Sequence, residues 1–190
     1  MLNKRIKGLY GITPNNNLDI ALIENVFKKH KINILQYRHK ILDENQKLDE
    51  AKELLKLCSQ YNTLFIINDD INLCENVKAD GIHLGQNDVD VHSARNRLGK
   101  NFIIGVSCHN NLELALEAEK NGANYIALGA IFKSKTKPNA SYCSLSMIQD
   151  INRNINIPIV GIGGITFENQ QSVLDAGCSS IAMIEGLFGH

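Results

Sequence analysis

Eight short apolar runs rich in β-branched residues recur along the chain and predict its strands. They cover residues 7–13, 32–38, 64–68, 81–84, 102–107, 125–129, 157–162 and 180–184. Most are almost continuously apolar, which is typical of parallel strands that are buried on both faces.

Between most of these runs lie stretches with helical spacing of apolar residues. They are clear over 18–29, 47–60 and 112–121 and weaker over 91–98, 145–153 and 167–176. Strands that alternate with helices indicate βαβ units and a parallel sheet. Because there are eight such units and the composition does not change along the chain, we predict one α/β domain over residues 1–190, a (β/α)₈ TIM barrel. This is short for a fold that typically takes about 250 residues. Only residues 186–190 follow the last strand, so the eighth helix should be absent or vestigial.

Composition limits the partners and the compartment of the protein. The chain has 20 Lys and Arg and 20 Asp and Glu, so its formal net charge is zero. A chain without net charge has no overall positive potential to attract nucleic acid or an anionic membrane, so an anion would have to be bound by a local cluster of cations. The five cysteines are scattered and never spaced as CxxC, which favours free thiols. The first residues lack an apolar stretch long enough for a signal peptide or a membrane span, so we expect a cytoplasmic protein.

Polar residues stand at the predicted carboxyl ends of the strands, where TIM barrels place their active sites. Strand 3 ends with Asn68 and Asp69, and strand 4 is followed by Asp88, one βα unit later. The two carboxylates should therefore share one mouth of the barrel. The other strand-end groups are Gln36, Arg38 and Lys40; His83 and Gln86; Ser107 and His109; Lys133, Ser134, Lys135, Thr136 and Lys137; Gly161, Gly163 and Gly164; and Ile184 with Glu185.

Two anion sites follow from this arrangement. In the first, Arg38, Lys40 and Lys137 face Asp69 and Asp88, a combination suited to a diphosphate bound with Mg²⁺. In the second, the glycine-rich turn after strand 7 and the end of strand 8 would hold a phosphate monoester on backbone N–H groups. Each feature alone has an ordinary structural explanation, because an aspartate after a strand commonly caps the next helix. His83 and His109 are, singly, more often structural than catalytic. The specificity lies in their joint arrangement.

Six motifs, in order, resemble the thiamine phosphate synthase family over nearly the whole chain. They are QYRHK, IND, ADGIHLGQND, GVSCHN, SKTK and PIVGIGGIT. The resemblance implies a transferase of thiamine biosynthesis. It would join 4-amino-2-methyl-5-hydroxymethylpyrimidine diphosphate to a carboxylated thiazole phosphate, with Mg²⁺, and release thiamine phosphate, pyrophosphate and CO₂.

The resemblance also implies roles for individual residues. The pyrimidine diphosphate would be held by Gln36, Arg38, Lys40, Asn68, Ser107 and Lys137, with Arg38, Lys40 and Lys137 acting in catalysis. Asp69 and Asp88 would bind Mg²⁺. The thiazole phosphate would be held by Ser134, Thr136, Gly164, Ile184 and Glu185.

Three departures from the family pattern stand out. His39 replaces the usual glutamate of the first motif, Lys133 and Ser134 replace Pro and Thr, and Glu185 replaces a serine after strand 8. Ser134 keeps the hydroxyl, whereas the Glu185 carboxylate would repel a phosphate unless it turned outward and offered only its N–H. The missing last helix leaves one face of the barrel bare and would accommodate a homo-oligomer.

Two other functions fit the same pattern. A thiazole tautomerase would share the barrel and the thiazole phosphate site and would use a histidine after strand 5, near His109. It would need no diphosphate–Mg²⁺ site, so Asp69, Asp88 and Lys137 argue against it. A non-catalytic sensor of phosphorylated ligands is the other alternative, and the paired carboxylates disfavour it.

Overall fold

The described residues of the computed structural model, 5–15, 18–40, 43–133 and 142–189, form a closed barrel of eight parallel strands in chain order. β1 pairs with both β2 and β8, which closes the barrel. The strands are β1 (Gly8–Ile12), β2 (Ile32–Tyr37), β3 (Leu64–Asn68), β4 (Gly81–Leu84), β5 (Ile103–His109), β6 (Tyr125–Leu128), β7 (Ile159–Ile162) and β8 (Ser180–Met183). The helices are α1 (Ile20–Lys29), α2 (Glu44–Gln60), α3 (Ile71–Val77), α4 (Val91–Leu98), α5 (Leu112–Lys120), α6 (Leu145–Asn154), α7 (Gln170–Asp175) and α8 (Glu185–Phe188).

This architecture confirms the predicted TIM barrel, and the differences lie in the helices. α8 is a single turn of four residues, in line with the expected vestigial eighth helix. α3 had not been predicted, because its seven residues are too few to show a helical period. It begins at the Asp70 cap and ends at Lys78, whose φ of 56° stops the helix.

Two apolar layers hold the barrel together, and the period of two along each strand separates them. In β3, Leu64 and Ile66 point into the barrel interior, while Phe65 and Ile67 belong to the layer between the barrel and its helices. The interior layer consists of Ile6, Tyr10, Ile12, Ile34, Leu64, Ile66, Ile103, Tyr125, Ala127, Val160 and Ala182. It supports the floor of the cavity at the carboxyl ends of the strands.

The cysteines agree with the expectation from composition. All five cysteines are buried free thiols. No helix within the described residues has both the length and the apolar character needed to cross a membrane.

Candidate active site

A cavity of about 410 Å³ opens at the carboxyl ends of the strands. Gln36, Arg38, Asn68 and Ser107 line it on the side of β2–β5. Gly164, Ile184 and Glu185 line it on the side of β7 and β8. Seven of the predicted substrate-binding residues therefore share one cavity. Further lining residues are Tyr10, Ile12, His83, His109, Ala127, Gly129, Ala130, Lys133, Val160, Ile162, Gly163, Ile165, Thr166, Ala182, Met183 and Gly186.

Each of the two predicted metal-binding segments carries two aspartates, and the structure gives the members of each pair different tasks. Asp70 accepts a hydrogen bond from the Leu73 N–H and caps α3, and Asp90 accepts one from the Ser93 N–H and caps α4. Asp69 and Asp88 cap no helix. Helix capping, the ordinary explanation for an aspartate after a strand, is thus supplied by their neighbours.

Local backbone geometry places Asp69 and Asp88. Asp69 has a φ of 62°, and its N–H donates to the carbonyl of His83 on the neighbouring strand at 2.9 Å. Asp88 turns back on its own loop, where its Oδ2 accepts the Gly85 N–H at 2.6 Å. Together these contacts hold the carboxylates at the ends of two adjacent strands.

The electrostatics of the carboxylate pair suit a cation. Burial raises the pKa of Asp69, and the hydrogen bond and negative charge of Asp88 raise it further, while Lys40 acts in the opposite direction. The Lys40 ammonium lies 3.5 Å from Asp69 Oδ2. One ammonium against two carboxylates leaves an excess of negative charge that a divalent ion would neutralise.

Asp69 and Asp88 offer only two carboxylate ligands for a metal ion, fewer than a preformed metal site would have. In the part of the chain that the structure describes, no group of three or more His, Cys, Asp or Glu side chains could hold a metal ion. Mg²⁺ is commonly bound by one or two carboxylates together with substrate phosphates and water. Asp69 and Asp88 therefore fit Mg²⁺ that arrives with a diphosphate.

The cations of QYRHK do not all point the same way. Arg38 lines the main cavity, and its backbone is fixed by Thr13, whose Oγ1 accepts the Arg38 N–H at 2.9 Å. Lys40 instead lines an adjoining cavity of about 240 Å³ together with Asp69. Since β2 ends at Tyr37, the alternation predicted for Gln36, Arg38 and Lys40 does not extend to Lys40. Asn68 lines both cavities and connects them.

A chain of buried hydrogen bonds crosses the barrel floor beneath the main cavity. Gln36 Nε2 donates to the Tyr10 hydroxyl at 2.7 Å, and that hydroxyl lies 2.8 Å from the Tyr125 hydroxyl. His83 Nδ1 lies 3.0 Å from the Tyr125 hydroxyl, and His83 Nε2 lies 2.9 Å from Ser107 Oγ. Two predicted substrate ligands, Gln36 and Ser107, are therefore the ends of one network.

Sequence reasoning missed Tyr10 and Tyr125. Both sit within strands that read as apolar, and 115 residues separate them. A polar-tipped aromatic residue in a fully buried strand was the only available signal, because a buried phenol usually finds a hydrogen-bond partner.

The predicted phosphate end is built from glycines that pack against the backbone after β6. Gly164 has a φ of 62°, and a Cβ there would lie 2.5 Å from the Lys133 carbonyl oxygen. A Cβ on Gly163 would lie 2.6 Å from Ala130 Cα. These glycines are thus required by packing against this segment. Glu185, half-buried, opens the single turn of α8 at the cavity wall.

Three predicted ligands, Ser134, Thr136 and Lys137, lie outside the described residues. Lys133, the last described residue before them, lines the cavity. Their assigned roles remain predictions.

Two candidate reactive side chains at the end of β5 differ in their surroundings. Cys108 is buried, and burial raises the pKa of its thiol to about 12, as expected of a structural residue and not of a reactive thiolate. His109 is exposed at the rim of the cavity, where a bulge at the end of β5 gives it a φ of 54°.

The chain is similar to known proteins over almost its whole length. The family model described as thiamine monophosphate synthase (TMP-TENI) matches residues 9–187. The thiamine-phosphate synthase of Nitrosococcus oceani is 41% identical over 190 residues, which covers 98% of this chain and 88% of the relative. That of Chromobacterium violaceum is 42% identical over 186 residues, covering 97% and 89%.

Solved structures extend the comparison to the fold. The thiamine phosphate pyrophosphorylase of Pyrococcus furiosus superimposes with a TM-score of 0.89 at 31% identity, over 100% of this chain and 91% of that one. An N-acetylmannosamine-6-phosphate 2-epimerase from Clostridium perfringens has a TM-score of 0.72 at 12% identity, over 98% and 90%, and shows only the shared barrel. The family match and the relatives at about 40% identity, over nearly their full length, establish that this chain belongs to the thiamine-phosphate synthase family.

Proposed function

We propose that this protein is a thiamine-phosphate synthase that couples the pyrimidine diphosphate to the carboxylated thiazole phosphate. The observation that carries this proposal is the Asp69–Asp88 pair beside Lys40, at the mouth that Arg38 lines. A tautomerase would need no such pair. The curated relatives at about 40% identity are also named as synthases.

The diphosphate would lie across the ends of β2–β4. Arg38 and Lys40 would bind its oxygens, with Asn68 between the two cavities and Lys137 completing the set by family resemblance. Asp69 and Asp88 would hold Mg²⁺, which supplies positive charge to the departing pyrophosphate when bound. These cationic groups matter most where charge develops in the transition state.

The reaction requires no nucleophile from the protein. The bond between the pyrimidine methylene carbon and the diphosphate oxygen breaks, and pyrophosphate leaves with the electron pair. The amino group of the pyrimidine donates electron density to the resulting cation, and the thiazole nitrogen then forms the new C–N bond. The bond between the thiazole ring and its carboxylate breaks to release CO₂, and the electron pair left on the ring carbon takes up a proton to give thiamine phosphate. Gln36 and Ser107 would orient the pyrimidine, and the protein would contribute mainly proximity and electrostatic stabilisation.

The thiazole phosphate would bind at the opposite side of the cavity. Gly164, Ile184 and Glu185 would present backbone there, and Ser134 and Thr136 are the hydroxyl ligands that the resemblance implies. Its nitrogen would then face the pyrimidine across the cavity, whose volume of about 410 Å³ suits small ligands.

The decisive experiment is a product assay with both phosphorylated substrates, with Mg²⁺ and with excess chelator. We expect thiamine phosphate and pyrophosphate only with Mg²⁺. Thiazole isomerisation without coupling would show a tautomerase instead, and binding without turnover would show a sensor.

A further inference from the structure

The hydrogen-bond chain beneath the cavity can carry its protons in only two orders. Burial raises the pKa of Tyr10 and of Tyr125 well above the usual value, so both remain phenols with one proton each. Each hydroxyl has one proton to donate and can accept up to two hydrogen bonds, and these two orders are the ones in which both phenol protons have an acceptor within the chain. In them, the direction at one end determines the direction at the other.

The end at Gln36 sets this direction. Gln36 Nε2 donates to Tyr10, whereas either hydroxyl of the Tyr10–Tyr125 pair could donate, and the role of His83 Nδ1 depends on its tautomer. If Tyr125 donated to Tyr10, the buried Tyr10 hydroxyl would accept twice, and its own proton would have no acceptor in the chain, which is costly. The favoured order therefore runs from Gln36 through Tyr10 and Tyr125 to His83 Nδ1. A neutral imidazole that accepts at Nδ1 carries its proton on Nε2, which then donates to Ser107 Oγ.

The opposite order would give Ser107 the wrong chemistry for its expected ligand. If Ser107 donated to His83, its hydroxyl could only accept from a ligand. Phosphate oxygens and pyrimidine ring nitrogens are acceptors, so a serine that binds them must donate. In the order that starts at Gln36, the Ser107 proton is left for a ligand in the cavity, and Gln36 keeps its Oε1 as an acceptor.

We propose that Tyr10, Tyr125 and His83 are positioning residues that fix Gln36 as an acceptor and Ser107 as a donor, so that the site selects a 4-aminopyrimidine over a 4-oxopyrimidine. The amino group of the ligand is a donor and meets the Gln36 carbonyl oxygen, whereas an oxo group would set two acceptors against each other. The ligand in this proposal rests on the proposed function, but the proton order can be measured without it.

The first test measures that order by ¹⁵N NMR of the histidine side chains in the ligand-free protein, with His83 assigned by comparison with His83→Asn. We expect the neutral tautomer with its proton on Nε2 and a bare Nδ1. A proton on Nδ1 would overturn the proposal, whatever reaction the enzyme catalyses.

The second test measures ligand preference without turnover. Calorimetry compares the 4-amino-2-methyl-5-hydroxymethylpyrimidine monophosphate with its 4-oxo analogue. We expect the wild type to favour the amino ligand by about 5- to 150-fold, which is equivalent to a cost of about 1–3 kcal/mol for a mismatched buried polar group. In Tyr10→Phe and Tyr125→Phe the ring remains but the chain is broken, and the preference should fall to about threefold or less.

The matched control is Tyr37→Phe, which also removes a buried phenol, one that donates to Glu50 outside the barrel at 2.7 Å. It should keep the wild-type preference. Preserved preference in both Tyr10→Phe and Tyr125→Phe would overturn the positioning role and leave the proposed function standing. If the wild type bound neither pyrimidine, the proposed function would fail, and the ligand half of this proposal with it.

Discussion

Gly105 on β5 provides a quantitative test of how the buried phenol chain is packed. A Cβ at this position would lie 2.0 Å from Tyr125 Cζ and 2.4 Å from its hydroxyl oxygen. The ring is fully buried, so it cannot swing into solvent. Gly105→Ala must therefore displace the phenol from its hydrogen bonds.

The cost follows from the contacts that the ring would lose. Two buried hydrogen bonds, to Tyr10 and His83, contribute about 1 kcal/mol each to the free energy of unfolding. Overpacking adds about 1–3 kcal/mol. We expect a total loss of about 3–5 kcal/mol, which for a chain of this size lowers Tm by roughly 6–20 °C.

The assay is urea unfolding followed by circular dichroism, with calorimetry for Tm. Gly11→Ala on β1 is the matched control, because a Cβ there meets nothing closer than Leu35 Cδ1 at 3.3 Å. It should cost less than about 1 kcal/mol. In the double variant Gly105→Ala with Tyr125→Leu, the clash has no target, so the cost of the double variant should be smaller than the sum of the two single costs by most of the loss of about 3–5 kcal/mol. A Gly105→Ala protein as stable as the wild type, or strict additivity in the double variant, would refute the placement of Tyr125.

Three further predictions concern activity. Asp88→Asn should lower turnover by about 100-fold or more and raise the Mg²⁺ concentration required. Its Tm should be unchanged or higher, because a like-charge contact with Asp69 disappears. Asp90→Asn, at a helix cap, is the control, and near-normal turnover of Asp88→Asn in chelator would contradict the metal role. His109→Ala should retain most of the coupling activity in a product assay, because the departure of pyrophosphate needs no protein base; lost turnover with intact substrate binding would indicate acid–base chemistry. Glu185→Gln should lower KM for the thiazole phosphate by about two- to fivefold by removing a negative charge at the cavity wall, with KM for the pyrimidine diphosphate unchanged in steady-state kinetics; equal effects on both would contradict the separation of the two substrate sites.

Much of this protein follows from its sequence alone. The alternation of apolar strands with amphipathic helices predicted the barrel, because a strand buried on both faces needs helices outside it. The polar residues at the strand ends predicted one shared mouth, since parallel strands end on the same side. Local pattern was enough for these conclusions because each depends on a few neighbouring residues.

Tertiary structure decided which member of each aspartate pair caps a helix. The segments after β3 and β4 each offer two carboxylates, and no local pattern distinguishes a cap from a candidate metal ligand. The structure assigns Asp70 and Asp90 to helix caps, which leaves Asp69 and Asp88 together at the mouth.

Tertiary structure also created the phenol chain. Tyr10 and Tyr125 meet only because β1 and β6 face each other across a closed barrel, and the missing side chain of Gly105 makes room for the ring. A one-dimensional pattern records which residues point inward, but not which of them touch. Contacts across the barrel depend on its closure and register, and these are properties of all eight strands together.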